Sequence, residues 1–349
     1  MAERSVVQPA VLLFAGYQRL LRSLALVLAL LAAPLTAAAD SETAEAWLMK
    51  LGPALKMTSY RGVFVYSRGD QVSSMMIAHR YRNGQVEERL VLQDGASGEI
   101  LRRGNRVVCV LPEHGRIQLD QVIPSGPFAE AFASQLVPMA SWYAPQVLGD
   151  DRIAGYSSVV IALNPRDQHR YGYRLWLEKQ TGLLLKSQVR QGEDVLERFQ
   201  FTMLEITDDL PDSDFEIQSE GRTTELSSPL EPDAEKADRH NRMAGWSLGW
   251  RPAGFVPSAS PRTGRGQAVA FSDGVAAFSV FVEPVGDLAM PTGVSRIGAT
   301  SVYMHHVTDN PGANLLVTVV GEIPPATAMK VAESVIVADS DALTGARRD

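Results

Sequence analysis

Apolar residues recur once at helical spacing near the start of the chain and then settle into a two-residue alternation. Ala44, Trp47, Leu48, Leu51 and Leu55 fall on one side of a 3.6-residue repeat. That spacing predicts a helix over 41–58, with Asp40 or Ser41 able to cap it. Alternating stretches rich in aromatic and β-branched residues follow: YRGVFVYS (60–67), SSMMIAHRYR, QVEERLVLQ, EILRRGN and RVVCVLPEHGRIQLD. Asn83-Gly84 and Asp94-Gly95 separate some of them, and these dipeptides tolerate the positive φ of tight hairpins. A more helical stretch with prolines covers about 125–145, after which strands resume at YSSVVIALNP, YGYRLWLEK, LLLKSQVRQ and VLERFQFTMLEI. The fold class predicted is α+β, with a large, mostly antiparallel sheet and helices laid on one side.

The alternation also sorts side chains by face. Tyr171, Tyr173, Leu175 and Leu177 share one face of their strand, against Arg174, Trp176 and Glu178 on the other. Phe64 and Tyr66, with Gly62, likewise oppose Arg61, Val63, Val65 and Ser67. One face of the sheet is therefore apolar and aromatic, and it is expected to line either a core or a cavity.

Composition shifts between about 208 and 243, where DDLPDSDFEIQSEGRTTELSSPLEPDAEKADRHNRM is polar and charged. The expected division is a first domain over 40–218, a linker over 219–243, a smaller domain over 244–338 and a tail over 339–349. The smaller domain has strand patterns at QAVAFSD, VAAFSVFVEP, GATSVYMHHVT and NLLVTVVGE, turn signals at Ser272-Asp273-Gly274 and 309–312, and a helix over 324–335 with proline at its start. Trp250, Phe255, Phe278, Val280 and Val282 are the candidates for its packing or for a partner surface.

With 349 residues, 45% of them hydrophobic and 21% charged, the chain has material for two cores. The net charge of -7 argues against a general role on nucleic acid. Arg19 and Arg22 precede the apolar run 23–35 and then Ala37-Ala38-Ala39, the layout of a secretory signal over 1–39, cut before Asp40. Removing it takes away three Arg and one Glu, so the mature chain carries about two charges fewer, near -9. Cys109 is the single cysteine, which leaves no internal disulfide, and its place in RVVCVLP suits a buried small hydrophobe.

Several motifs invite chemistry. Gly245-Trp246-Ser247-Leu248-Gly249 matches the nucleophile elbow of serine hydrolases, which would make the chain a secreted esterase. An elbow needs a strand before the serine and a helix after it, whereas here a charged segment precedes and Pro252 follows. His305-His306 lie in a strand pattern, where neighbours point to opposite faces and do not readily share a metal ion. No phosphate loop is present, since GRGQ (264–267) lacks the lysine and its spacing. No catalytic residue, metal or cofactor is expected. Between Arg80 and Arg116 stand seven Arg, five acids and no Lys. That region reads either as a solvated face or as a contact for an acidic partner or lipid headgroup.

At YRGVFVY, YGYRLWLEKQTGLLLKSQV, GWRPAGF, SDGVAAFSVFVE and VVGEIPPATAMKVAESV the chain resembles the MucB/RseB family, periplasmic negative regulators of the sigma-E type envelope-stress response. The resemblance implies a first domain with a curved antiparallel sheet wrapped on helices, similar to the lipoprotein carriers LolA and LolB, and a smaller second domain on a mobile linker. It implies that the protein binds the periplasmic part of a membrane-anchored anti-sigma factor of MucA or RseA type and shields it from site-1 proteolysis. It further implies that lipid or lipopolysaccharide fragments loosen the complex; a homo-oligomer stays possible. Face alternation then nominates Phe64, Tyr66, Tyr171, Tyr173, Leu175 and Leu177 for a lipid-facing cavity. The alternative in the same architecture is a periplasmic lipid or lipoprotein carrier.

Overall fold

The computed structural model describes residues 42–94, 98–104, 106–111, 141–219, 222–227, 245–257, 267–285, 291–308, 314–338 and 343. The predicted helix forms as α1 (Ala44–Met57), and its N-cap is Thr43, whose hydroxyl accepts from the Ala46 amide at 3.2 Å. Its buried side is the predicted stripe of Ala44, Trp47, Leu48 and Leu51.

Among the described residues eleven strands make one sheet: β1 (Tyr60–Arg68), β2 (Gln71–Arg82), β3 (Gln85–Leu92), β4 (Glu99–Arg103), β5 (Arg106–Leu111), β6 (Tyr143–Ile153), β7 (Tyr156–Pro165), β8 (Gly172–Glu178), β9 (Leu184–Gln191), β10 (Asp194–Ile206) and β11 (Arg222–Ser227). Their order is β11-β5-β4-β3-β2-β1-β10-β9-β8-β7-β6, and every pairing is antiparallel. Asn83 and Gly84 take φ of 54° and 80° between β2 and β3, the two-residue hairpin expected of them. The sheet curves until β6 and β7 approach β10, where the Tyr156 hydroxyl accepts from the Ile206 amide at 3.1 Å.

Three expectations are corrected. Among the described residues a single α-helix, α1, packs on the large sheet, so "wrapped on helices" overstates it; most of the helical stretch expected over 125–145 lies outside the described residues. Strand β6 begins inside that stretch, at Tyr143. Strand β11 falls within the segment expected to be linker, because the 222–227 backbone pairs with β5.

The second sheet has the order β13-β14-β15-β18-β17-β16, from β13 (Val256–Pro257), β14 (Gln267–Ser272), β15 (Ala277–Pro284), β16 (Gly293–Ile297), β17 (Thr300–Thr308) and β18 (Asn314–Gly321). Helix α2 (Pro325–Glu333) covers it, while β12 (Trp246–Leu248) pairs with β19 (Val335–Val337). Phe278, Val280 and Val282 alternate into this core with Phe255, Phe271 and Val331. Ser247 is exposed on β12, opposite Ile336, and the next element is strand β13 rather than a helix. His305 and His306 are consecutive in β17, as the pattern suggested.

The arginines of β2–β4 act inside the chain. Arg80 pairs with Glu87 at 2.5 Å and Asp212 at 2.7 Å, and its guanidinium lies 4.1 Å from the Phe215 ring. Arg89 pairs with buried Glu99 at 2.5 Å, and Glu99 also accepts the Gln218 and Ser219 amides at 3.0 and 2.8 Å. Arg103 donates to the Phe215 carbonyl at 2.8 Å. These bonds strap residues 210–219 across the sheet, where Leu210 and Phe215 cover Ala78 and Leu101.

Candidate functional site at the domain boundary

Cross-strand partners in a sheet share a face. Tyr66, Phe199, Ser187, Leu175 and Ile161 therefore form one row from β1 to β7. The face expected to stand open is filled. Tyr171, Tyr173, Leu175 and Leu177 are each at most 1% exposed, packed with Trp47, Leu48 and Leu51 of α1 and with Val275 and Ala299 of the second domain. Phe64 is 2% exposed, with Phe199 and Phe201 at ring distances of 5.0 and 6.0 Å. A groove of about 440 Å³ runs along the other side of α1, lined by Met49, Lys50, Pro53, Ala54, Met57, Thr58 and Thr181, and it borders none of the six predicted cavity residues.

Part of that face is sealed by polar groups that sequence reading missed. Arg170, at the entry to β8, projects into the second domain with its side chain fully buried. Its Nη1 donates to Asp273 Oδ2 at 2.5 Å and its Nη2 to the Ala253 carbonyl at 2.6 Å, while Asp167 holds the same guanidinium from behind at 2.9 Å. The rings of Phe255, Trp142 and Tyr143 surround it at 5.2, 5.3 and 5.7 Å. Burial works against the charge, but the hydrogen bond donated to Asp167 and the nearby Asp273 hold its pKa above the ordinary arginine value.

Asp273 is the residue that the pattern marked as a turn. Its Oδ1 accepts the Val275 and Ala276 amides at 2.9 and 2.8 Å, which forms the turn. Its Oδ2 is left for Arg170 and for the Tyr143 hydroxyl at 3.2 Å. A local turn signal and a long-range ion pair share one carboxylate.

A second polar contact sits just beyond Arg170, on β8 itself. The Tyr173 hydroxyl donates to Glu322 Oε1 at 2.7 Å. Burial pushes the Glu322 carboxyl up to about 8, helped by Glu197 and Asp273 and opposed by the Tyr173 bond and Arg68. A third contact receives the β16–β17 hairpin. The Ala299 amide donates to Glu197 Oε1 at 2.9 Å, Arg68 donates to Thr300 Oγ1 at 2.6 Å, and the Tyr66 hydroxyl bonds Glu197. Gly298 turns the hairpin at φ 59°, and a Cβ there would lie 2.5 Å from Glu197 Oε1, so only glycine fits. Trp250 lies at the same boundary, with His169 of the first domain at 5.0 Å and Lys330 at 4.0 Å from its ring. Of the predicted residues, Tyr66, Tyr171, Tyr173, Trp250 and Phe255 thus gather at the boundary. Leu175 and Leu177 lie under α1, Phe64 in an aromatic cluster, and Phe278, Val280 and Val282 in the second core.

The family models for the MucB/RseB N-terminal domain and C-terminal domain match residues 43–219 and 240–336. The chain belongs to the MucB/RseB family. It is 38% identical over 323 residues to the sigma factor AlgU regulatory protein MucB of Pseudomonas aeruginosa, covering 88% of this chain and 94% of that protein. It is 26% identical to the sigma-E factor regulatory protein RseB of Escherichia coli, covering 83% of this chain and 89% of that one. Among solved structures, the complex of Pseudomonas aeruginosa MucA and MucB superimposes with a TM-score of 0.67 at 32% identity, over 85% of this chain and 99% of that one. A crystal structure of MucB gives 0.57 at 33% identity, over 84% of this chain and 97% of that one.

Proposed function

We propose that this chain is a non-enzymatic periplasmic regulator that binds the periplasmic segment of a membrane anti-sigma factor of MucA type and keeps the site-1 protease from it. The observation that carries this reading is the match across both domains to a protein solved in complex with MucA. The secretory pattern over 1–39 supports export. The presence of the second domain, with a core of its own, favours a regulator over a lipid carrier, which needs no such domain.

Lipid or lipopolysaccharide fragments release the complex in this reading, with Phe64, Tyr66, Tyr171, Tyr173, Leu175 and Leu177 as the face that meets the acyl chains. Because α1 and the second domain now fill that face, an acyl guest has to displace one of them. Ligand binding is then linked to separation of the domains, and it weakens partner binding only if the partner prefers the closed arrangement. The test is protection of the anti-sigma periplasmic segment from its stress protease. The segment should survive with this protein present and be cut again on adding lipopolysaccharide. Unchanged cleavage with the protein present would sink the regulator reading. Protection that lipopolysaccharide leaves intact would remove only the release step.

A further inference from the structure

The opposite face of the large sheet carries an unassigned surface. Register places three rows on it. Met76, Val63 and Met203 form the first. Ser74, Val65, Gln200, Lys186 and Trp176 form the second, and Val72, Ser67, Arg198, Gln188 and Arg174 the third. Val63, Val65 and Ser67 alternate along β1, so all three rows share one side.

Two properties meet there. Val72, Met76 and Met203 are 66%, 39% and 67% exposed, an unusual outlay of large apolar side chains on one sheet face. Beside them stand Arg174, Lys186 and Arg198. Among the described residues no carboxylate forms an ion pair with any of the three, in contrast to the arginines of β2–β4. Lys186 lies 4.3 Å over the Trp176 ring, whose indole N–H is taken by Asp151. Burial and then the like charge of Arg198 lower the Lys186 pKa, with Asp151 opposing, so the cations repel one another more than they are neutralised. In a chain of net charge -7 this is a local excess of positive charge.

We infer that this face docks on an anionic phospholipid surface, with Arg174, Lys186 and Arg198 on the headgroup phosphates and Met76, Met203 and Val72 among the upper acyl carbons. Uncompensated cations supply attraction to a negative leaflet, and the neighbouring apolar side chains gain by leaving water. An acidic protein partner would use the charges but leave the methionines unexplained. This inference goes beyond the anti-sigma reading and stands or falls without it, since no partner is needed in the test.

The test is co-sedimentation of the exported chain, from Asp40 on, with phosphatidylcholine vesicles that contain or lack phosphatidylglycerol. Binding should require phosphatidylglycerol and fall with added salt. The Arg174→Gln/Arg198→Gln double variant should bind about thirtyfold more weakly, and Met203→Ser should weaken binding at all salt concentrations. An unchanged circular dichroism spectrum and melting midpoint in each variant keep the comparison interpretable. Binding that ignores phosphatidylglycerol, or is kept in full by the double variant, overturns the inference.

Discussion

One face of one sheet is closed in two different ways. At Leu175 and Leu177 it is buried in an apolar cluster that includes Trp47, Leu48 and Leu51 of α1. At Tyr173, at Arg170 and beside Tyr66 it is sealed by the second domain through the ion pair of Arg170 with Asp273, the Tyr173 bond to Glu322 and the Ala299 amide donating to Glu197. Apolar burial is non-directional and is lost roughly in proportion to the area exposed. A buried polar layer is directional, and its desolvation cost cancels much of its attraction. The helix side therefore behaves as permanent core. The boundary side holds two surfaces in one register, and its groups regain hydration when they part. A two-state element belongs at such a boundary.

The sharpest way to break this comparison is to orphan one charge. Arg170→Ala leaves Asp273 buried without its cation and should destabilise the chain by about 3–5 kcal/mol. The double variant Arg170→Met/Asp273→Asn, whose side-chain oxygen still accepts the Val275 and Ala276 amides, should recover part of that, as read from urea unfolding. If the single and double variants unfold alike, the pair does not seal the boundary. On the helix side, Leu51→Ala, at a residue 0% exposed, should cost about 3 kcal/mol as a cavity under α1.

A pH series separates the two seals without mutation. The Glu322 carboxyl is raised to about 8 from an ordinary 4.5, so the folded chain holds a proton there that the unfolded chain has lost. The stability contributed by the protonated form is complete below about 4.5 and declines as pH rises toward 8, by at most about 1.4 kcal/mol per unit. Glu322→Gln should flatten that part of the profile, while Leu51→Ala should lower it evenly. A profile identical in wild type and Glu322→Gln would rule the group out. The smallest effect expected is that of Thr43→Ala, which removes the α1 cap and should cost about 1 kcal/mol. Thermal melting is enough to see it.

How much was legible beforehand follows from the range of each interaction. Alternation in YGYRLWLEK assigned Tyr173 and Leu175 to one face correctly, because period two is a property of the strand itself. Asn83-Gly84 announced its hairpin, since the left-handed backbone needed there is available locally. The same alternation could not say what lies over the face. It left a core and a cavity both open, and the structure fills the face with α1 and the second domain. Arg170, Glu197 and Glu322 carried no signal at all: each is an ordinary charged residue until a partner 103, 102 or 149 positions away arrives.

The chain by itself therefore determined most strands of its large sheet, its first helix, the Asn83-Gly84 turn and the family it resembles, for these rest on spacing and side-chain type within a few residues. Tertiary structure alone decided that the arginines of β2–β4 are spent on strapping 210–219, while Arg174, Lys186 and Arg198 form no ion pair among the described residues. It also decided that Asp273 serves a turn and an ion pair at once. Charge is read from composition, but its compensation depends on which residues meet in space, and that is set only when distant strands come into register.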